Sequence, residues 1–92
     1  MRKKFNAAEY VGQPEMIANY LNEALVTGDL GAFTRALGVI ARAHGASKLA
    51  RQVGTDRQTF YRGLDGKATP QIDTVFNTLA ALGLQLLIRA KE

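Results

Sequence analysis

The segment SKLARQVGTDRQTFYRGL, residues 47–64, holds the side chains best suited to recognising a ligand in this 92-residue chain. Four long polar side chains would share one face of a helix that follows the turn at Gly54: Arg57, Gln58, Tyr61 and Arg62. Arginine forms paired hydrogen bonds with guanine, and glutamine does so with adenine. These four residues are therefore the candidates for contact with DNA bases in a major groove.

Hydroxyl and ammonium groups at the two ends of this segment are typical of contacts with DNA phosphates. Ser47 and Lys48 stand at the start of the first short helix, where free backbone N–H groups also attract anions. Lys67 and Thr69 lie in the loop that follows the second helix. We expect these four residues to hold the DNA backbone.

Positive charge is concentrated in the same part of the chain. The formal net charge is +4, and residues 42–67 carry six lysines and arginines against two aspartates. Within it, Arg51 can either contact a phosphate or pair with an acid such as Asp65. A solvated outer face of an ordinary αα-hairpin would also explain the cluster, and this alternative stays open on charge alone.

Two short helices with a tight turn between them would position these side chains. Ala50 is small enough for a close helix crossing, and Gly54 suits a turn that needs positive φ. Phe60 and Leu64 would anchor the second helix to the core. The spacing therefore predicts a helix-turn-helix over residues 46–64.

Helical spacing of apolar residues predicts a single all-α domain over residues 1–92, with residues 1–12 as a weakly structured leader. Pro14 suits a first helical turn, Asp29 and Asp56 are good N-caps, and Thr69 with Pro70 would start the last helix. The expected helices span residues 14–28, 30–44, 46–53, 57–64 and 71–82. Their inward residues are Ile17, Tyr20, Leu21, Ala24, Leu25, Leu30, Phe33, Leu37, Ile40, Ala41, Leu49, Ala50, Val53, Phe60, Leu64, Ile72, Val75, Phe76, Leu79 and Leu82.

The tail LQLLIR, residues 84–89, alternates in polarity and follows a glycine, so we expect a short C-terminal β-strand. A lone strand is not stable by itself. The same strand of a second copy is the obvious partner, which predicts a homodimer.

Several function classes are disfavoured by composition. The chain has no cysteine and one histidine, which leaves no basis for a thiolate metal site or a histidine-dependent triad. Neither a glycine-rich phosphate loop nor a nucleophile with its base is apparent, so we expect no enzyme, no cofactor and no metal. Apolar runs are too short to cross a bilayer and no secretory signal is evident, which makes the cytoplasm the default location.

The chain resembles the bacterial addiction module antidote protein family, within the Cro and phage-repressor (Xre-like) helix-turn-helix class. The resemblance covers residues 5–88 and rests on AAEYV at 7–11, IANYLNEALVTGD at 17–29, ALGVIARAHGASKLARQVGTDRQTFYRGL at 36–64 and IDTVFNTLAALGLQL at 72–86. It implies a five-helix lambda-repressor-like domain. The chain departs from the family pattern after the turn glycine, where Thr55 and Asp56 replace an apolar residue and a serine.

The resemblance also implies a function. Such a protein would be the antitoxin of a type II toxin–antitoxin pair, would bind a RelE-like ribonuclease toxin and would repress its own operon by binding double-stranded DNA. Two alternatives remain. One is a protein-binding inhibitor with a vestigial helix-turn-helix, in which the segment of residues 1–32, acidic overall, binds the toxin. The other is a phage-type repressor without a toxin partner.

Overall fold

The computed structural model describes residues 12–67 and 69–91, and this part of the chain is all-α with five helices. They are α1 (Pro14–Val26), α2 (Leu30–His44), α3 (Ala46–Val53), α4 (Arg57–Arg62) and α5 (Ile72–Ala81). The five predicted helices are thus confirmed, with shorter ends for the first, fourth and fifth. The predicted leader, residues 1–12, lies outside the described residues except for Gly12.

Local side-chain chemistry sets the boundary between α1 and α2. Pro14 occupies the first turn of α1, where its missing N–H removes no helical hydrogen bond. Helix α1 ends at Val26, before the predicted residue 28, because Gly28 takes a left-handed φ of +75°. The Thr27 hydroxyl donates to the carbonyl of Ala24 at 2.6 Å in this last turn. Asp29 then caps α2 by accepting a hydrogen bond from the N–H of Ala32 at 3.2 Å.

Helix α2 is the centre of the core. Leu37, Ile40 and Ala41 are completely buried, and α1 and α3 pack against this helix. The buried apolar residues come from all five helices and the turns after α4 and α5: Ile17, Leu21, Phe33, Ala36, Leu37, Ile40, Ala41, Leu49, Ala50, Phe60, Leu64, Val75, Leu79 and Leu82. A single core therefore positions every helix of the described chain.

One face of α2 runs antiparallel to the segment that contains the end of α4 and the turn after it. At Gly38, a Cβ atom would lie 2.7 Å from the carbonyl oxygen of Leu64, so only glycine fits between the two backbones. One turn earlier on α2, the Arg35 side chain covers the backbone of Gly66. The close approach at Gly38 therefore fixes how α4 lies on α2.

The first residues of the last helix differ from the prediction. Helix α5 begins at Ile72, and Gln71 takes the N-cap position in place of Thr69, because the first helical hydrogen bond joins the N–H of Val75 to the carbonyl of Gln71. Ile72 and Phe76 were expected in the core and are 67% and 52% exposed. Helix α5 buries the adjacent face, with Val75, Thr78 and Leu79, so these two side chains lie beside the core rather than inside it.

Two other residues expected in the core are largely outside it. Leu25 and Leu30 lie at the corner between α1 and α2, where both are exposed. On both α1 and α2, the row of apolar side chains extends beyond the part of the helix that a neighbouring helix buries. Helical spacing alone does not reveal where that cover ends.

The predicted C-terminal strand at residues 84–89 is not confirmed, since the described residues contain no strand and 84–91 have no regular secondary structure. The N–H of Leu84 instead donates to the carbonyl of Leu79 at 2.8 Å and closes the end of α5. Within one chain, the tail has no neighbouring strand to supply a hydrogen-bond ladder. Over residues 12–67 and 69–91, no helix is both long and apolar enough to cross a membrane.

The contact at Gly38 makes a testable prediction for Gly38→Ala. In a helix interior this substitution ordinarily stabilises a protein by about 0.5–1 kcal/mol. Here the added methyl group would collide with the Leu64 carbonyl, so we expect a loss of about 1–3 kcal/mol in the free energy of unfolding. Urea unfolding followed by circular dichroism measures the change.

Gly63→Ala is the matched control. Gly63 has an ordinary φ of −75°, and a Cβ atom there would lie 3.5 Å from its nearest neighbour. We expect its stability to stay within about 0.5 kcal/mol of the wild-type value. A Gly38→Ala protein at least as stable as the wild type would contradict the close approach.

Candidate nucleic-acid interface

The turn between α3 and α4 depends on Gly54. This residue has φ +89° and ψ +28°, the left-handed conformation that glycine adopts without strain. The N–H groups of Gly54 and Thr55 both donate to the carbonyl of Ala50, at 3.0 and 2.9 Å. These bonds end α3 and fix the direction in which the chain enters α4.

Asp56 starts α4 as its N-cap, which confirms the predicted role. One carboxylate oxygen accepts a hydrogen bond from the N–H of Thr59 at 2.8 Å, and the other accepts one from the Thr59 hydroxyl at 2.9 Å. The hydrogen bond from the Thr59 backbone, followed by the one from the Thr59 hydroxyl, is the largest of the effects that lower the pKa of Asp56 below its ordinary value of 3.8. The carboxylate is therefore ionised at neutral pH.

Buried residues on the inner side of both helices hold the pair in place. Leu49 and Ala50 of α3 are buried, as are Phe60 of α4 and Leu64 in the turn after it. Because Phe60 points inward, the opposite side of α4 faces outward. Of the four predicted base-contacting residues, Arg57, Gln58 and Arg62 are exposed and Tyr61 is half-buried.

A shallow basic cleft of about 400 Å³ lies where α2, α3 and α4 meet. Its lining residues are Arg42, Gly45, Ser47, Lys48, Arg51, Arg57 and Tyr61. Four of them are cationic and none is acidic, so the cleft has the charge and shape to hold an anion. Two of the predicted phosphate contacts, Ser47 and Lys48, thus share one surface with two of the predicted base contacts.

The remaining predicted residues lie outside the cleft. Gln58 and Arg62 are exposed on α4, and Lys67 and Thr69 are exposed in the loop that leads to α5. Before that loop reaches residue 68, the N–H of Lys67 donates to the Asp65 carboxylate at 2.9 Å. Arg51 lines the basic cleft, and the described residues show no ion pair between it and Asp65.

Arg42 belongs to this surface, although the sequence analysis gave it no role. Its guanidinium carbon lies 4.7 Å from the ring centroid of Tyr61, and that of Arg57 lies 5.6 Å from the same centroid. Arg42 sits in the last turn of α2, outside the predicted helix-turn-helix. In the sequence, only the positive charge of Arg42 indicated that it could belong to this surface. No helical spacing relates it to Tyr61.

Comparison with known proteins gives one family and one close relative. A family model described as "Probable addiction module antidote protein" matches residues 1–90. A Haemophilus influenzae protein described as "Uncharacterized protein" is 38% identical over 87 residues, which cover 95% of this chain and 90% of that protein. No solved structure matches the chain.

The Asp56 cap predicts how stability depends on pH. A carboxylate whose pKa is lower in the folded chain stabilises the fold above its unfolded pKa, and this contribution disappears as the pH falls through the folded pKa. We therefore expect the wild type to be more stable than Asp56→Ala at pH 7. The difference should shrink as the pH falls below 3.8. Unfolding in urea at a series of pH values measures it.

Asp56→Asn supplies the control, because asparagine keeps the capping oxygen and does not titrate. The stability difference between the asparagine and alanine variants should be the same at every pH. A gap between the wild type and the alanine variant that is equally large at pH 7 and at pH 2–3 would contradict the prediction.

Proposed function

The chain belongs to the family of addiction module antidote proteins, and we propose that it neutralises a small RelE-like ribonuclease toxin and represses its own operon by binding DNA. Membership of this family implies a toxin partner and an antitoxin role. It also makes the chain a regulatory protein rather than an enzyme. Its proposed site of action is the cytoplasm.

The observation that carries the DNA-binding proposal is the joint position of the basic cleft and the outer face of α4. The cleft is lined by four cationic side chains and by no acidic one, and the adjoining face of α4 offers long polar side chains to solvent. Phosphate contacts position a protein on a duplex, and base contacts read its sequence. The two parts of this surface supply both.

In this proposal, α3 and α4 form a Cro/Xre-like helix-turn-helix with α4 as the recognition helix. Bases are contacted by Arg57, Gln58, Tyr61 and Arg62. Phosphates are contacted by Ser47, Lys48, Lys67 and Thr69. Seven of these eight residues are exposed and Tyr61 is half-buried. All eight side chains are therefore accessible to a duplex.

The proposed DNA-bound form is a homodimer. Two recognition helices would meet half-sites about 34 Å apart, or a multiple of that spacing, on a pseudo-palindromic operator. The tail is a suitable dimer contact because Leu87 and Ile88 are exposed and the backbone of 84–91 forms no strand within one chain. Pairing with the same segment of a second copy would complete the strand expected at residues 84–89.

The toxin-binding surface is proposed at the corner between α1 and α2. Val26 is 84% exposed there, and Leu25 and Leu30 beside it are also exposed. Glu15, Glu23 and Asp29 are the only charged residues between positions 12 and 32. Glu23 and Asp29 are near the corner, and Glu15 is at the other end of α1. Exposed apolar side chains with acidic residues close by suit a basic ribonuclease. This surface and the basic cleft carry opposite charges.

The DNA proposal predicts selective binding to the fragment upstream of the chain's own gene. In fluorescence anisotropy at ~150 mM salt, we expect affinity about a hundredfold or more above that for a scrambled duplex of equal length. Replacing both Arg57 and Gln58 by alanine should remove most of this preference, since each base contact contributes about 1–3 kcal/mol of discrimination.

Salt dependence tests the phosphate contacts separately. If four cations of each subunit neutralise phosphates, a dimer makes about eight such contacts. A plot of the logarithm of the binding constant against the logarithm of the salt concentration should then have a slope of about −7. Ala80→Glu lowers the net charge by one at an exposed position of α5, outside both the basic cleft and the tail, and is a control for net charge. Equal, weak binding to both duplexes would overturn the repressor proposal.

The toxin proposal predicts the effect of Val26→Lys. A positive charge at this corner would oppose a basic partner, so we expect the dissociation constant for the adjacent gene's small basic product to rise about tenfold or more. Isothermal titration measures it, and rescue of growth on co-expression should fall in parallel. DNA binding should not change, because Val26 does not line the basic cleft.

Two control variants separate the toxin surface from the DNA surface. Ala80→Lys adds the same charge at an exposed position of α5 and should bind the toxin like the wild type. The Arg57→Ala, Gln58→Ala double variant should neutralise the toxin and fail only in repression. Unchanged toxin binding by Val26→Lys would place the interface elsewhere.

A further inference from the structure

Arg42 and Tyr61 form a contact that joins the core helix α2 to α4. The Arg42 guanidinium carbon lies 4.7 Å from the Tyr61 ring centroid, within the range of a cation–π interaction. Gly38 lies one turn before Arg42 on α2, and Leu64 lies one turn after Tyr61. The close approach of Gly38 to Leu64 therefore places the ring beside the arginine.

Two positive charges converge on this one ring. The Arg57 guanidinium carbon is 5.6 Å from the Tyr61 centroid, and both arginines line the basic cleft. The ring attracts each guanidinium but has no net charge, so the mutual repulsion of the arginines is not neutralised. Lys48 and Arg51 add further positive charge, and no carboxylate lines the cleft. An anion in the cleft would relieve this repulsion.

We propose that the basic cleft binds a phosphate of the DNA backbone, with Arg42 as a direct contact and Tyr61 as the residue that positions it. The inference rests on the proposed DNA-binding function. A planar guanidinium can bind phosphate through two parallel hydrogen bonds, and stacking on the ring limits the orientations it samples. The contact comes from α2, so it ties the orientation of the whole core to the duplex.

Arg42→Ala tests the phosphate contact, with Ala80→Glu on α5 as a variant of equal net charge outside the cleft and the tail. In fluorescence anisotropy with the upstream fragment and the scrambled duplex, Arg42→Ala should lower affinity about tenfold or more for both. The preference for the upstream fragment should stay unchanged, since a phosphate carries no base identity. The salt slope of the dimer should become shallower by about 2, from one contact in each subunit.

Substitutions of Tyr61 test the positioning role. Tyr61→Phe keeps the ring and should keep the wild-type salt slope. Tyr61→Leu removes the aromatic face and should make the slope shallower, as Arg42→Ala does. If Tyr61 acts through Arg42, its replacement by leucine should weaken binding less in the Arg42→Ala background than in the wild type.

The outcomes distinguish this inference from the function on which it rests. If Arg42→Ala behaves like Ala80→Glu while the wild type still prefers the upstream fragment, the phosphate contact is refuted and the repressor proposal stands. An equal effect of Tyr61→Leu in both backgrounds would refute the positioning role. If the wild type binds neither duplex, both the inference and the DNA-binding function fall.

Discussion

The close approach of Gly38 to the carbonyl of Leu64 is the constraint on which the remaining geometry depends. It allows the end of α4 to lie directly on α2, and the neighbouring contacts follow in antiparallel order along the two segments. Arg35 covers Gly66 on one side of the contact, and Arg42 meets Tyr61 on the other. A side chain at position 38 would separate the backbones and move the ring away from Arg42. The geometry of the candidate nucleic-acid interface therefore depends on the backbone contact between Gly38 and Leu64.

Local chemistry explains why much of this fold could be predicted from the sequence. The caps at Asp29 and Asp56 and the turn at Gly54 depend on residues within a few positions of one another, and the structure forms all three. The burial of Ala50 and Phe60 follows from helical periodicity together with this turn. The outward face of α4 could therefore also be predicted.

Contacts between distant segments could not be predicted in the same way. Phe76 has the spacing of a core residue, but its exposure depends on which neighbours cover α5. Arg42 joins the cleft because the turn after α4 lies against α2 and brings Tyr61 beside it, and no periodicity in the sequence encodes that contact. The tail has a strand-like pattern, but one chain offers it no partner to pair with. In each case the sequence pattern does not indicate which distant segment lies beside the residue in the folded chain.

The short length of α4 links recognition to the folding of the whole chain. Six residues make fewer than two turns, and isolated helices shorter than about 12–15 residues are marginal in water. Helix α4 therefore exists only while Phe60 and Leu64 remain seated in the common core. The lifetime of the outer face of α4 is then that of the native state, and no partly folded form would retain it. Any ligand that binds α4 only in the native state stabilises the entire domain by mass action, so binding and folding are thermodynamically linked.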